Sequence, residues 1–216
     1  MERACVMTPL LSILDHLVYV TRDIEASIQQ MELLLGVRAT IGGQHPHWGT
    51  RNALLSLGPK AYLEIMGPDP SQPIPRQPRP FGIDTMVKPR IVTWVARTND
   101  FESIMREARR QRLDLGELQE RSRTKPDGST LKWTMTDPTK NRKDGIIPYF
   151  IDWGDRPHPA ESSPKGCTLL GLEAFHPDAK GVNELLKAFG IDLRVKLGSV
   201  MLKATIQSAR GQIVLE

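Results

Sequence analysis

Residues 42–67, GGQHPHWGTRNALLSLGPKAYLEIMG, decide how this chain is read. The segment gives a strand, a loop, a second strand, a tight turn at Gly58-Pro59 and a third strand. It carries His45, His47 and Asn52, and Glu64 is the one charge in the apolar run from Tyr62 to Met66. A carboxylate inside such a strand is costly unless something pairs with it. Alternation puts Tyr62, Glu64 and Met66 on one face and Leu63 and Ile65 on the other. In the strand before it, Thr50, Asn52 and Leu54 share a face, with Arg51, Ala53 and Leu55 opposite. Upstream, in LDHLVYV at 14–20, His16 interrupts a second apolar run and shares its face with Val18 and Val20. Two isolated polar groups in neighbouring strands predict a shared site.

Working outward, residues 12–67 read as one β-α-β-β-β unit. The strand 14–20 ends at Thr21-Arg22-Asp23, a cap signal for the next helix. That helix, 24–35, sets Ile24, Ile28, Met31 and Leu35 on one stripe and stops at Gly36. Strands at 38–41, 50–57 and 61–66 complete the unit. Residues 68–89 hold seven prolines and no periodicity, which excludes a helix and favours a stiff linker over a segment lying across a cleft. The same order returns in residues 90–154: a strand at 90–97, the cap Thr98-Asn99-Asp100, a helix at 101–113, strands at 116–123 and 131–137 around the Pro126-Asp127-Gly128 turn, and a strand at 146–153. A second proline-containing break, 155–167, leads to a third, shorter copy in 168–216, with its cap at Pro177-Asp178. Laid over the first unit, Thr93 takes the place of His16 in the second and Ile151 that of Glu64. In the third, Gly171 and Glu216 take those places. Units of this kind must pack against a sibling to bury their faces.

Composition excludes several classes. The chain has 216 residues, 39% hydrophobic and 25% charged, with a formal net charge of +4. Eleven Lys/Arg against seven Asp/Glu between Ile104 and Asp144 read as a solvated face, because no aromatic-interleaved basic stripe or zinc-finger spacing supports nucleic-acid binding. Cys5, in a terminus expected to be disordered, and Cys167 read as free thiols in a reducing compartment. The opening residues are a poor signal peptide and too short and polar to span a membrane, so a cytoplasmic protein is expected. There is no phosphate loop, nucleophile elbow or Cys-pair metal knuckle.

The pattern resembles the vicinal oxygen chelate superfamily, in its glyoxalase-like branch. The resemblance rests on LDHLVYV with His16, on GGQHPHWGTRNALLSLG running into AYLEIMG, on SRTKPDGSTLKW at 122–133, and on GIIPYFIDWG at 145–154. It implies an α+β fold in which βαβββ units pair and their curled mixed sheets form a cup, often holding a divalent metal that binds two neighbouring substrate oxygens. It also implies one metal ligand from the first strand and one from the last strand of each of two units. His16 and Glu64 match in the first unit. Thr93 and Ile151 in the second do not bind metal, and the third offers at most Glu216.

Each candidate has two readings. His16 is either a strand histidine satisfied by a neighbour, or a metal ligand or general base. Glu64 is either in an ion pair with Arg51 or Lys60, or a catalytic carboxylate facing the cup. The branch has a histidine at the place of His45, so His45 is preferred to His47 as a third ligand, although both sit in a loop that reads as exposed. A divalent ion (Zn, Ni, Mn or Fe) on His16, His45 and Glu64 is thus expected. Thr50 and Asn52 could donate to substrate or satisfy backbone, and Trp94, Trp133, Phe150 and Trp153 read as core or pocket wall, with Trp94 and Phe150 taken as substrate contacts. His158 and His176 read as surface. The resulting expectation is a small-molecule lyase or isomerase. A metal-free acid/base hydrolase or isomerase and a non-catalytic sequestering protein are the alternatives. Three units in a family that pairs them also suggest a homodimer.

Overall fold

The computed structural model describes residues 7–46, 48–140 and 142–216. The expectations for Cys5 and His47 lie outside the described residues. The first unit consists of β1 (Leu14–Val20), α1 (Ile24–Leu35), β2 (Thr40–His45), β3 (Thr50–Gly58) and β4 (Ala61–Pro68). The second consists of β5 (Arg90–Arg97), α2 (Phe101–Arg110), β6 (Leu118–Thr124), β7 (Thr130–Thr136) and β8 (Tyr149–Asp152). The third runs from β9 (Cys167–His176) through α3 (Ala179–Ala188) to β10 (Val195–Leu197), β11 (Met201–Ser208) and β12 (Gly211–Leu215). The predicted cap aspartates all work: Asp23, Asp100 and Asp178 accept hydrogen bonds from the backbone N–H of Ala26, Ser103 and Gly181. Gly36 ends α1 at φ 73°, a left-handed conformation that glycine adopts at little cost.

The first two units share one closed barrel in the order β1-β4-β3-β2-β6-β7-β8-β5. Two seams join them. At one, β1 and β5 run antiparallel over most of their length, with His16 opposite Val95. At the other, β2 and β6 meet at a single residue pair, Gln44 and Thr124. Gly43 permits that approach, since a Cβ there would stand 2.2 Å from the Thr124 carbonyl oxygen. The sheets therefore curl as the resemblance implies, and the cup is drawn shut along this narrow seam.

Alternation sorts the wall into two cores. Leu17, Leu63, Ile65, Ala53 and Leu55 point outward, where they join the helices and the third unit. Val18, Leu54, Met66, Val95, Met135 and Ile151 point inward. The third unit forms a four-stranded sheet, β10-β9-β11-β12, whose Leu172, Leu202 and Ile206 pack into the outer core. A short parallel pairing of Thr8–Pro9 with Ile191–Asp192 ties it to the start of the chain. The odd unit thus packs within its own chain.

The proline-rich connector is not a plain linker. It folds over one end of the barrel: Gln72 Nε2 donates to the Thr50 carbonyl at 3.1 Å, and Arg79 Nε to that of Gly49 at 2.9 Å. A 3-10 turn at Pro80–Thr85 then sends Ile83, which is fully buried, into the inner core. Phe81 takes a positive φ of 60° there, an uncommon conformation for an aromatic residue. The prolines supply an extended path that costs little entropy to fix, and the apolar side chains between them anchor it.

Candidate active site

Inside the barrel lies a narrow cavity of about 460 Å³, mouth included. His16 from β1, His45 from the end of β2, Asn52 from β3 and Glu64 from β4 all face it. Four consecutive partners across the sheet thus contribute one polar side chain each. Tyr62 stacks on His16 with ring centroids 4.5 Å apart. Val95, Trp133, Met135 and Ile151 of the second unit, with Trp153 just after β8, form an apolar wall, and Trp48 and Phe81 also line the cavity. Among these inward residues, His16, Asn52 and Glu64 follow the alternation read from the sequence.

Glu64 is 6% exposed. Its Oε1 accepts from Asn52 Nδ2 at 2.5 Å, its Oε2 lies 3.6 Å from His16 Nε2, and His45 Nε2 is 3.8 Å from Oε1. No lysine or arginine among the described residues pairs with it; Arg51 instead faces Glu25 at 3.3 Å. The carboxylate accepts a hydrogen bond from the Asn52 amide and has two imidazole Nε2 atoms within 4 Å, with no permanent cation on it among the described residues.

Behind His16 stands a network the sequence reading missed. His16 Nδ1 lies 2.7 Å from Asp15 Oδ1, while Asp15 Oδ2 accepts from Trp153 Nε1 at 3.1 Å and from His158 Nε2 at 3.0 Å. His158 Nδ1 in turn accepts from the Ala160 backbone N–H at 3.2 Å, which puts the ring proton on Nε2. Burial by itself would raise the Asp15 carboxyl; the hydrogen bonds from His158 and His16 outweigh it and hold it down at about 2. The ionised Asp15 keeps the proton of His16 on Nδ1 and leaves Nε2 facing Glu64. His158 is therefore buried, not on the surface, and the same correction holds for His176, which is 5% exposed. Adjacent prolines make both read as surface in the sequence. Asp15 was invisible because alternation assigns it to the face opposite His16; an irregularity in the β1–β5 register between Leu14 and His16 lets the neighbours meet.

His45 is buried too, against the expectation of an exposed loop. Burial pushes its imidazole down to about 4; the nearby Glu64 opposes this, and Arg123 adds to it. It is neutral at neutral pH, with Nδ1 3.1 Å from Thr50 Oγ1. Thr50 accordingly serves His45 and does not line the cavity.

Two further corrections concern aromatic residues. Trp94 and Phe150 both belong to the outer core, on the far side of the wall. Each lies one residue from an inward neighbour, Val95 and Ile151, so alternation turns it away. Trp94 Nε1 donates to the Ile146 carbonyl at 2.9 Å. Trp133 and Trp153 are the tryptophans of β7 and the loop after β8 that face the cavity.

The residues expected to hold a metal do come together, but not as a cage. Among the described residues no group of three or more His, Cys, Asp and Glu side chains is gathered to hold an ion. His16 and His45 approach different oxygens of Glu64, and the Asn52 amide, 3.5 Å from His45 Nε2, stands against both His45 and Glu64. An amide N–H₂ in that position offers donors where an ion would need lone pairs. Thr93 and Ile151 supply no ligand, and Glu216 lies away from the barrel interior, paired with Lys203 at 2.6 Å. The donor set as placed does not fit a bound divalent ion.

The buried cation of the site is Arg123 on β6, 5% exposed. Its Nη1 reaches Asn52 Oδ1 at 3.4 Å, so Asn52 lies between the guanidinium and Glu64. The sequence signal was present in SRTKPDG, which reads as the edge of a hairpin but holds one arginine in phase with the inward face.

No helix among the described residues is long and apolar enough to cross a membrane. No curated protein matches the chain. Among solved structures, a hypothetical protein from Staphylococcus aureus superposes with a TM-score of 0.65 at 14% identity, over 94% of this chain and 98% of that one. Methylmalonyl-CoA epimerase from Mycobacterium tuberculosis aligns at 20% identity over 70% and 94%, with a TM-score of 0.42. Hypothetical protein BH1468 from Bacillus halodurans C-125 aligns at 15% over 67% and 96%, with a TM-score of 0.44. A family model described as a glyoxalase-like domain matches residues 14–190, and the chain belongs to that family, within the vicinal oxygen chelate fold.

Proposed function

We propose that this protein is a small-molecule enzyme that moves a proton at a carbon next to a carbonyl, as lyases and isomerases do, with Glu64 as the base. The observation that carries the reading is a carboxylate buried in a tryptophan-walled cavity, with no permanent cation on it and an oriented imidazole 3.6 Å away. Glu64 takes the proton, and the C–H electron pair passes into the carbonyl to give an enolate. Return of the proton at a new position or face completes an isomerisation. Expulsion of a group β to the carbonyl completes an elimination. His16, with Nε2 toward Glu64 and Asp15 behind it, is the second proton-carrying group. His45, neutral and fixed by Thr50, borders the same carboxylate. The reaction in this reading runs on side chains alone.

Solvent exchange tests this directly. Phenylpyruvate, 3-methyl-2-oxobutanoate and phenylacetone are incubated with protein in D₂O, and deuterium incorporation next to the carbonyl is followed by proton NMR. Wild type is expected to exchange at least one of them well above the rate without protein, and Glu64→Gln to lose about 10²-fold or more of that rate. A second reading, sequestration without turnover, is favoured by the apolar lining from Trp48, Trp133, Trp153, Met66 and Met135. Binding of these compounds with no enhanced exchange would select it.

A further inference from the structure

We propose that the ligand of this cavity is a small monocarboxylate with an apolar body, and that Arg123 is its anchor. The inference rests on the cavity being the functional site, and it names the substrate class of the reaction above. A buried guanidinium is stable only when its charge and its donors are met. Arg123 has no carboxylate within ion-pair distance among the described residues, its Nε has no hydrogen-bond partner, and its Nη1 makes one long contact to Asn52. Arg142, also deeply buried among the described residues, shares the unpartnered Nε, but its two terminal nitrogens are well met. Its guanidinium donates to Thr136 Oγ1 and to the carbonyls of Leu115 and Asp137 within 3.0 Å, and lies 4.1 Å from the centre of the Tyr149 ring. Arg123 borders the cavity and lacks all of this.

A second observation shows that the placement is built in. At Gly42 a Cβ would stand 2.5 Å from Asn52 Oδ1 and 2.6 Å from Arg123 Nη1. Its φ is not in the left-handed region, so the backbone does not demand glycine; the space beside Arg123 does. The cavity's own chemistry then selects the anion. A planar fork of N–H donors matches a carboxylate with two parallel hydrogen bonds. Glu64 on the far side of Asn52 repels a dianion, which disfavours a phosphate monoester. Trp133 and Trp153, with ring centroids 5.3 Å apart, supply a surface for an apolar or aromatic body. A ligand seated this way has its carboxylate on Arg123 and its next carbons toward Glu64.

Binding is measured by tryptophan fluorescence and by calorimetry, using phenylacetate and 3-methylbutanoate against their neutral amides, phenylacetamide and 3-methylbutanamide. The expected result for wild type is at least tenfold tighter binding of an acid than of its amide. Arg123→Gln is expected to erase that preference and Arg123→Lys to retain part of it. Gly42→Ala, which displaces the guanidinium without removing it, is expected to weaken the acids and spare the amides. Glu64→Gln is expected to bind the acids at least as well as wild type, so a failure of proton transfer leaves this result standing. Equal binding of acid and amide by wild type overturns the proposal, whether or not the variants fold. Failure of both acids to bind at millimolar concentration overturns it as well.

Discussion

The two units that close the barrel have the same element order and opposite interiors. The first lines its half with His16, His45, Asn52 and Glu64; the second lines its half with Val95, Trp133, Met135, Ile151 and Trp153, and adds Arg123. At the place where the first unit has a glutamate in its last strand, the second has Ile151, 1% exposed. One copy has become the polar, proton-carrying face and the other a hydrophobic wall with one cation. The lesson is that a carboxylate can be held in such a wall only where neighbouring strands supply partners. Glu64 has three, from β1, β2 and β3. Ile151 instead joins the apolar inner cluster with Val95, Met135 and Trp153.

Altering the polar face should have the largest effect. Glu64→Asp withdraws the carboxylate by about one methylene while keeping its charge, and an exchange rate lower by about 10²-fold is expected, since misplacement of a reacting group by 1 Å carries that cost. An exchange rate close to wild type would mean that Glu64 is not the base. Moving the carboxylate to the other unit should be nearly as disruptive. Ile151→Glu places a charge in the apolar inner cluster and is expected to lower unfolding stability by about 3 kcal/mol in urea titrations at pH 7. Unchanged stability would show that partners are not what separates the two halves.

The acid response of the polar face comes next. The folded His45 is depressed to about 4 from its ordinary 6.5, so between those values the unfolded chain binds more protons than the folded one. Its contribution is complete above about pH 6.5 and is lost as pH falls toward 4. That loss amounts to at most about 3 kcal/mol, and His45→Asn should flatten this part of a pH-stability curve. Asp15, held at about 2 against an ordinary 3.8, should produce a separate decline between those values, removed in Asp15→Asn. The smallest effect belongs to the apolar face. Arg123→Met removes an unpaired buried cation, and the unliganded protein should keep or slightly raise its melting temperature. A drop of several degrees would mean that Arg123 is satisfied in a way its contacts do not show.

Much of this was legible in the sequence, because the barrel wall obeys a period of two. Tyr62, Glu64 and Met66 face inward and Leu63 and Ile65 outward as alternation requires, and His16, Val18 and Asn52 fall in phase with them. The three helix starts were legible because an aspartate at the cap is a local signal. What failed was information carried by other strands or by loops. Trp94 and Phe150 read as core or pocket wall from the sequence, and only the phase of their strands, set by Val95 and Ile151, puts them in the outer core and away from the ligand. Arg123 looked like one more hairpin cation until β2 and β3 placed Gly42 and Asn52 beside it. Asp15 and His158 are 143 positions apart in sequence, and only the closed barrel brings them to 3.0 Å. The connector misled because proline content signals an extended chain but not where the chain lies. Phe81, Ile83 and Met86 were the cue that it returns to the core.

The division of labour between the two halves is tested most directly by a structure of the protein with phenylpyruvate bound. The account predicts the ligand's carboxylate on the Arg123 guanidinium, its ring against Trp133 and Trp153, and the carbon next to its carbonyl within about 3.5 Å of a Glu64 oxygen. A ligand whose carboxylate lies away from Arg123, or whose reactive carbon faces Val95 and Ile151, would contradict it.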